Sequence, residues 1–461
     1  MRNRRDFIKK SAFGTAGIVI GGMGSSSKSY ASIIGANERI NIAVVGCGGG
    51  GRSNSPGRGT AHISSWCSLK DSHNIFLTTF CDVEELFIKE RAKPVIETYG
   101  AAPKFVWDMR KVFEDKTIDV VSFATPNHWH ALGSIWACQA GKHVYVEKPC
   151  SHNIFEGRKM IEASRKYNVR LQVGFQSRSE VNTREAVKFL HDGGIGEVYM
   201  ARGLCYKSRD SFGIAPDSEP PATLHYDMWL GPAPWRRYNE KRGHYNWHWF
   251  WDTGNGDTGN QGPHEFDIAR WGLNKNEHPV SAYAAGGLYG IDPKECAQET
   301  PNTLSCTFKY SDGKMLEFET RGRYTNSESS IGVTVGNIFL GTEGYLELKG
   351  STWKAYRKRE KEPFAGSKSQ KEEVATLTGS SGESHFSNLI DAIRSGNNSD
   401  LHCDITDGHL STALPHLGNI SYRLGRGLTF NGATEKFVND PEADAMLTRE
   451  YRKPYIVPDK V

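Results

Sequence analysis

Two short segments carry side chains suited to moving a proton at a carbon–oxygen bond. Glu147-Lys148-Pro149 places a lysine between a carboxylate and a proline that stiffens the turn. A lysine held this way donates a hydrogen bond to a reacting hydroxyl or polarises a carbonyl; the plainer alternative is a surface salt bridge. Asn260-Gln261-Gly262-Pro263-His264-Glu265-Phe266-Asp267 opens a helix expected to continue through Ile268–Leu273. His264 titrates near neutrality and can take or return an alcohol proton. Asp267, three residues on, shares its helix face and is the carboxylate expected to orient it. The plainer alternative for this segment is a capping Asn260 with a structural histidine.

A third segment is built to bind. Residues 42–51 read Ile-Ala-Val-Val-Gly-Cys-Gly-Gly-Gly-Gly, an apolar run that breaks into GxGxxG at Gly46, Gly48 and Gly51. Glycines so spaced let a buried strand turn into a helix N-terminus, whose free N–H groups and partial positive charge suit a pyrophosphate. Asp82 ends the next expected strand, where a carboxylate accepts from the ribose hydroxyls of NAD and repels the extra phosphate of NADP. It lies farther from these glycines than the usual ~20 residues. Residues 53–74 are therefore expected to hold an inserted loop as well as the helix. Arg52, just after the last glycine, is within reach of a phosphate and keeps NADP as the alternative.

These segments need a scaffold that brings them together. Strands are expected at Ile40–Val45, Ile75–Phe80, Val120–Ala124, His143–Val146 and Arg170–Val173. Helices are expected at Glu84–Tyr99, Ala131–Ala140 and Ile154–Tyr167. Alternation of this kind predicts a parallel sheet covered by helices, an α/β Rossmann domain over residues 32–174. Thr125-Pro126-Asn127, with His130 a turn further, and Glu147-Lys148 then fall at the carboxyl ends of strands, where ligands bind in such sheets. Beyond residue 174 comes one helix at Thr183–Leu190, then strands at Val198–Cys205, Thr303–Tyr310, Met315–Arg321 and Tyr345–Leu348. Helices at His385–Arg394 and Thr406–Leu424 close the chain. Residues 175–461 are thus read as an α+β domain with a large open, mainly antiparallel sheet, and Glu360–Ser381 as a polar surface excursion.

Trp229–Asp257 is dense in aromatic rings and reads as a loop region. Tyr245, Trp247, His248 and Trp251 can stack on the apolar face of a sugar or pack an oligomer contact. With His264 and with Gln176 and Arg178, just past the fifth expected strand, they are the candidates for holding substrate. His244, His248 and Asp252 show no convincing third-ligand pattern, so no metal is expected.

The first 31 residues read as a leader rather than as fold. Arg4-Arg5-Asp6-Phe7-Ile8-Lys9 is a twin-arginine pattern, Ala12–Met23 is mildly apolar, and Ser29-Tyr30-Ala31 resembles a cleavage site. The apolar stretch is shorter than a membrane span of about 20 residues. The layout predicts export of a folded, cofactor-loaded protein to the periplasm. The net charge of +4 belongs to this segment, since 51 basic and 52 acidic residues remain without it. Composition therefore makes no case for binding nucleic acid or inserting in a membrane. Nine cysteines, none in a CxxC pair, read as buried small residues.

In order and spacing, GxGxxG at Gly46, Thr125-Pro126-Asn127, Glu147-Lys148-Pro149 and the segment holding Gly262, His264 and Asp267 resemble the Gfo/Idh/MocA oxidoreductases, the family of glucose–fructose oxidoreductase and inositol dehydrogenase. The resemblance implies NAD(P), a carbohydrate or polyol substrate, a homo-oligomer, Lys148 as the catalytic lysine and His264 as the acid/base. The family usually has Asp four residues before the histidine; this chain has Asn260, which cannot take a proton. The chain is also similar to an exported subgroup with Trp-His-Trp-Phe-Trp-Asp and Gly-Asn-Gln-Gly. Three functions fit these features. The first is hydride transfer to and from a sugar, glycoside or polyol hydroxyl. The second is an NAD-dependent glycosidase, for which Tyr226, Tyr245 or His248 would supply a second base. The third is a redox-inactive sugar-binding scaffold.

Overall fold

The computed structural model describes residues 39–48, 57–367 and 384–461. Residues 1–31, Gly51, Arg52 and residues 368–381 of the expected surface excursion lie outside the described residues. Apolar runs buried on both faces build the first sheet, as a parallel sheet between helix layers requires. Its strands are β1 (Ile40–Val45), β2 (Ile75–Cys81), β3 (Lys104–Val106), β4 (Val120–Phe123), β5 (His143–Glu147) and β6 (Leu171–Gly174). They pair in parallel in the order β3-β2-β1-β4-β5-β6. The order reverses between β1 and β4, which opens a crevice at their carboxyl ends.

Alternate residues of β1 serve the two helix layers. Ile40, Ile42 and Val44 pack with Ile63 and Trp66 of α1 (Arg58–Ser68). Ala43 and Val45 pack with Leu132 and Ile135 of α2 (Asn127–Gln139) and Met160 of α3 (Ile154–Lys166). The helix expected over Glu84–Tyr99 is instead two short pieces, Ile88–Arg91 and Lys93–Tyr99, because Pro94 fits only the first turn of a new helix. Residues 83–85 are drawn into contacts with the second half of the chain.

After α4 (Val181–His191) comes β7 (Val198–Cys205), and after α5 (Gly262–Gly272) come β8 (Ser281–Gly287), β9 (Thr303–Lys309), β10 (Met315–Arg321), β11 (Val335–Gly341), β12 (Gly344–Lys349), β13 (Thr352–Arg357) and β14 (Ala365–Gly366). Helices α6 (His385–Ser395) and α7 (Ile405–Leu424) precede β15 (Leu428–Asn431) and β16 (Lys436–Phe437). The second sheet runs β14-β13-β12-β11-β7-β10-β9-β8-β15-β16, antiparallel except where β7 meets β10. Burial alternates along β9 and β10, the mark of a sheet with one covered face. Helix α5 lies on that face, with Phe266 packed on Phe308 and Phe318. All nine cysteines are unpaired and eight are buried.

Candidate active site

The glycine turn forms as expected at Gly46 and Gly48, and its third written glycine, Gly51, lies outside the described residues. Gly46 has φ +86°, and a Cβ there would lie 2.8 Å from the backbone of Ala124 and Thr125, so only glycine lets β1 pass this close to the β4–α2 turn. The close-packing position is occupied by Gly59 in α1, where a Cβ would stand 2.1 Å from the Gly46 carbonyl oxygen. The insertion therefore falls inside the motif, between Gly48 and Gly59. Counted from Gly59, Asp82 is 23 residues on, close to the usual spacing of ~20. Gly57-Arg58-Gly59 was the signal in the sequence that could have shown this.

Asp82 is half-buried at the end of β2. Its Oδ2 accepts from the N–H of Cys47 (2.7 Å) and Gly48 (2.6 Å), and its Oδ1 from that of Glu84 (2.9 Å). Burial pushes its pKa up, and these three N–H groups act against that rise. Beside it the second half of the chain crosses over. Glu85 N donates to Thr223 O (3.1 Å), His225 N donates to Val83 O (2.8 Å), and Leu224 bridges Glu84. His225 also pairs with Glu85 (2.8 Å) and stacks on Trp107 at 4.3 Å. This strap roofs one end of a cavity of about 330 Å³ that runs from Asp82 past Thr125, Pro126 and Asn127 to Lys148.

Glu147, at the tip of β5, is the hub beneath the cavity. Its Oε1 accepts from Arg58 (2.5 Å), His62 (3.0 Å) and Gln176 (3.0 Å). Burial alone would raise this carboxyl, but the Arg58 guanidinium and His62 hold it well below the ordinary carboxylate range. Lys148 Nζ donates to the backbone oxygen of Asn260. Burial lowers its pKa to about 8, with Glu147 opposing. The Asn260 side chain donates to Tyr245 Oη (3.0 Å) and Asp257 Oδ1 (3.4 Å), and Asp257 is clamped by Arg209 at 2.8 and 3.0 Å. The lysine thus rests on a main-chain carbonyl, a contact that asparagine makes as well as aspartate.

His264 occupies the first turn of α5, half-buried and edge-on to Phe175. Its ring makes no side-chain hydrogen bond among the described residues. Burial, reinforced by the Lys148 charge, keeps the imidazole neutral, its pKa well below the usual value. On the roof, Trp247 and His248 stack at 3.5 Å, and His248 Nδ1 meets Tyr245 O at 2.6 Å. Tyr226 and Trp229 stack at 5.8 Å and complete the aromatic wall.

Several expected site residues are placed elsewhere. Asp267 is 1% exposed and bound on both oxygens, by Arg178 (2.8 and 2.9 Å) and Ser411 (2.6 Å), so it cannot orient His264. Arg178, committed to that pair, is not available to substrate. Gln176 turns to Glu147 and to Tyr145 Oη (2.8 Å), supporting the hub rather than lining the cavity. His130 lines the cavity, but both its ring nitrogens are taken, by Pro149 O (2.6 Å) and Thr125 O (2.8 Å). Asn127 is held by Asn255 (3.0 Å). Trp251 lies outside the cavity lining, under the Arg423 guanidinium at 5.1 Å. Arg58, which donates to Glu147, was missed as a site residue.

Among the described residues, His278, His409 and Glu435 have the spacing of metal ligands, apart from His244, His248 and Asp252. Their carboxylate is already taken by Arg158 (2.5 Å) and by both ring Nε2 atoms (2.9 and 2.6 Å), while the buried Nδ1 of each histidine has no hydrogen-bond partner among the described residues.

Residues 40–175 match the oxidoreductase family NAD-binding Rossmann fold, and residues 213–345 and 349–457 match the family's C-terminal alpha/beta domain. Levoglucosan dehydrogenase of Pseudarthrobacter phenanthrenivorans is 38% identical over 96 residues, 21% of this chain and 25% of that protein. Alpha-N-acetylgalactosaminidase of Shewanella oneidensis is 26% identical over 184 residues, 35% of this chain and 37% of that protein. The matched stretches thus span well under half of these relatives' own length. An aldose-aldose oxidoreductase from Caulobacter crescentus, solved with glycerol, superposes with a TM-score of 0.61 at 17% identity, covering 85% of this chain and all of that one, a likeness of fold. With an NAD-binding Rossmann half and a C-terminal half both matched, the chain belongs to the Gfo/Idh/MocA family of oxidoreductases.

Proposed function

We propose that the protein moves hydride between bound NAD and a secondary hydroxyl of a sugar, glycoside or polyol. The observation that carries this is the placement of Lys148 Nζ at one end of the cavity whose other end is the Gly46–Gly48 turn and Asp82. The residues fit the dinucleotide. A Cβ would fill the cradle at Gly46, and the buried Thr125 Oγ1 has no partner among the described residues. Gly46, Gly48 and the start of α1 would hold the pyrophosphate, and Asp82 the ribose. Bound there, the nicotinamide supplies the hydride acceptor. The neutral His264 imidazole takes the hydroxyl proton, and the Lys148 ammonium donates a hydrogen bond to the developing alkoxide. The aromatic wall of Trp229 and Trp247 receives the apolar face of the ring and keeps water out.

Export by the twin-arginine leader belongs to the same reading. Outside the cytoplasm no free nicotinamide pool regenerates the cofactor, so it stays with the protein and a second substrate reoxidises it. A second reading, transient oxidation followed by elimination of the aglycone, is favoured by one observation. Tyr245 Oη lies on Asn260 inside the cavity, next to His248, where a second base is needed.

The test starts from protein purified without added nucleotide. Released cofactor is identified by mass, and candidate glycosides are screened for reduction of the bound nicotinamide. One equivalent of NAD, reduced by a sugar with a keto-sugar as product, is the expected result. A released aglycone with an unoxidised sugar replaces it with the second reading, and protein that neither holds NAD nor responds to sugars overturns both.

A further inference from the structure

Two side chains in the cavity wall have hydrogen-bonding directions that the chain itself fixes. Tyr245 and His248 stand side by side there, their rings 4.6 Å apart. His248 Nδ1 meets the main-chain oxygen of Tyr245 at 2.6 Å. A carbonyl oxygen only accepts, so Nδ1 carries the ring proton. Burial holds the imidazole neutral, its pKa lowered to about 3, so Nε2 is a bare acceptor. Nε2 makes no hydrogen bond among the described residues, and the Trp247 ring, stacked at 3.5 Å, fixes the plane of the imidazole.

Tyr245 Oη is set the opposite way by a relay. Arg209 clamps the Asp257 carboxylate at 2.8 and 3.0 Å. The Asn260 amide nitrogen lies 3.4 Å from Asp257 Oδ1 and 3.0 Å from Tyr245 Oη. A carboxylate only accepts, so the amide turns its amino group toward Asp257, and the same group donates to Oη. The phenol oxygen thus receives a hydrogen bond from within the protein, and its own proton is left for another acceptor. No described residue takes that proton. A donor and an acceptor therefore lie next to one another in the cavity, each without a partner in the protein. Asn260 also ties them to the chemistry, because its main-chain oxygen holds Lys148 Nζ.

We propose that Tyr245 and His248 together read one hydroxyl group of the substrate, Tyr245 donating to its oxygen and His248 Nε2 accepting its hydrogen bond, with Asn260 as the positioning residue that keeps Tyr245 a donor. Among ring substituents a hydroxyl answers both polarities, whereas an ether or carbonyl oxygen cannot donate and an ammonium cannot accept. Lys148 and Tyr245 are held by the same residue, so the hydroxyl that is read neighbours the hydroxyl that reacts. The substrate is thus a ring with a vicinal diol, one hydroxyl for Lys148 and the next for the pair. This rests on the assignment of Lys148 as the donor to the reacting oxygen.

The probes are the trans vicinal diol of cyclohexane and cyclohexanol, which differ by one hydroxyl. The purified full chain, with isotope-labelled histidine rings, is followed by NMR, and the His248 signals are those lost in His248→Asn. Without probe the expected state is Nδ1 protonated and Nε2 bare. The diol shifts the Nε2 signal, and cyclohexanol at the same concentration does not. Tyr245→Phe weakens the binding of the diol about fivefold. Asn260→Asp removes the amide donor and gives the phenol proton a carboxylate to turn to, so it weakens binding as much. An asparagine acting only on fold stability would leave binding by the folded variant unchanged. A protonated Nε2, or a diol that acts no better than cyclohexanol, overturns the proposal. If Asn260→Asp does not fold, these two readings still decide it. A pair that answers the diol in a protein whose NAD no sugar reduces upholds the proposal while sinking the dehydrogenase reading, so the two failures are separable.

Discussion

The clusters around Glu147 and around Asp267 are built from the same kinds of side chain. Each buries a carboxylate against an arginine, with hydroxyl or imidazole partners. Asp267 takes Arg178 on both oxygens and Ser411 on one, and Arg270 and Asp407 extend the set at 2.9 Å. Glu147 takes three donors on Oε1 and leaves Oε2 without a partner among the described residues. Beside it stands Lys148 with a lowered pKa and a carbonyl as its bonded partner. The Asp267 cluster ties α4's entry turn to α5 and α7, while the Glu147 cluster opens on a cavity. Complete pairing marks the brace, and groups left in need of a partner mark the place where a ligand is to come.

Breaking the brace should have the larger effect on folding. Asp267→Ala takes from the buried Arg178 its two-pronged partner and leaves it only the Asp407 carboxylate at 3.6 Å, at a cost of about 3 kcal/mol. Denaturant unfolding should show that loss while the folded fraction keeps its turnover per molecule; equal stability with lost turnover would return Asp267 to the reaction. Lys148→Met should do the reverse, with turnover falling by about 10²–10³-fold and the unfolding midpoint little changed. In the wild type the donor is the ammonium, so turnover should fall as pH rises through about 8. A pH–rate profile flat across that range would remove Lys148 as the donor. Gly59→Ala puts a methyl against the Gly46 carbonyl and should cost about 1–3 kcal/mol, together with NAD binding measured by calorimetry. The same change at Gly51 tests whether the third glycine of the written motif matters; equal losses at both would undo the assignment of Gly59.

The contrast also explains what the sequence made legible. Order and spacing of strands came through because buried parallel strands are near-continuous apolar runs, as at Ile40–Val45 and Val120–Phe123. Lys148 and the Gly46 turn could be read because local chain geometry alone puts them at strand ends. Gly59 was not singled out because only the approach of α1 to Gly46 reveals its close packing, and Gly51 lies outside the described residues. Asp267 was misread because periodicity places it on a helix face with His264 but is silent about Arg178, 89 residues away in sequence.

The strap over Asp82 offers the finest test, because it belongs to neither cluster and should affect only how long the cofactor stays. Its two backbone hydrogen bonds, between Val83 and His225 and between Glu85 and Thr223, survive most side-chain changes. What His225 adds is a partly exposed side-chain contact with Glu85 at 2.8 Å and a parallel stack on Trp107. An exposed pair is worth at most about 1 kcal/mol and an aromatic contact about 0.5–1.5 kcal/mol. His225→Ala should therefore speed NAD release by about tenfold, the equivalent of roughly 1.4 kcal/mol, with turnover at saturating cofactor unchanged. A chase of bound NAD by an excess of labelled nucleotide measures it. If release is as slow in the variant as in the wild type, the strap is a packing contact between the two halves of the chain, and retention of the cofactor rests on the glycine turn and Asp82 alone.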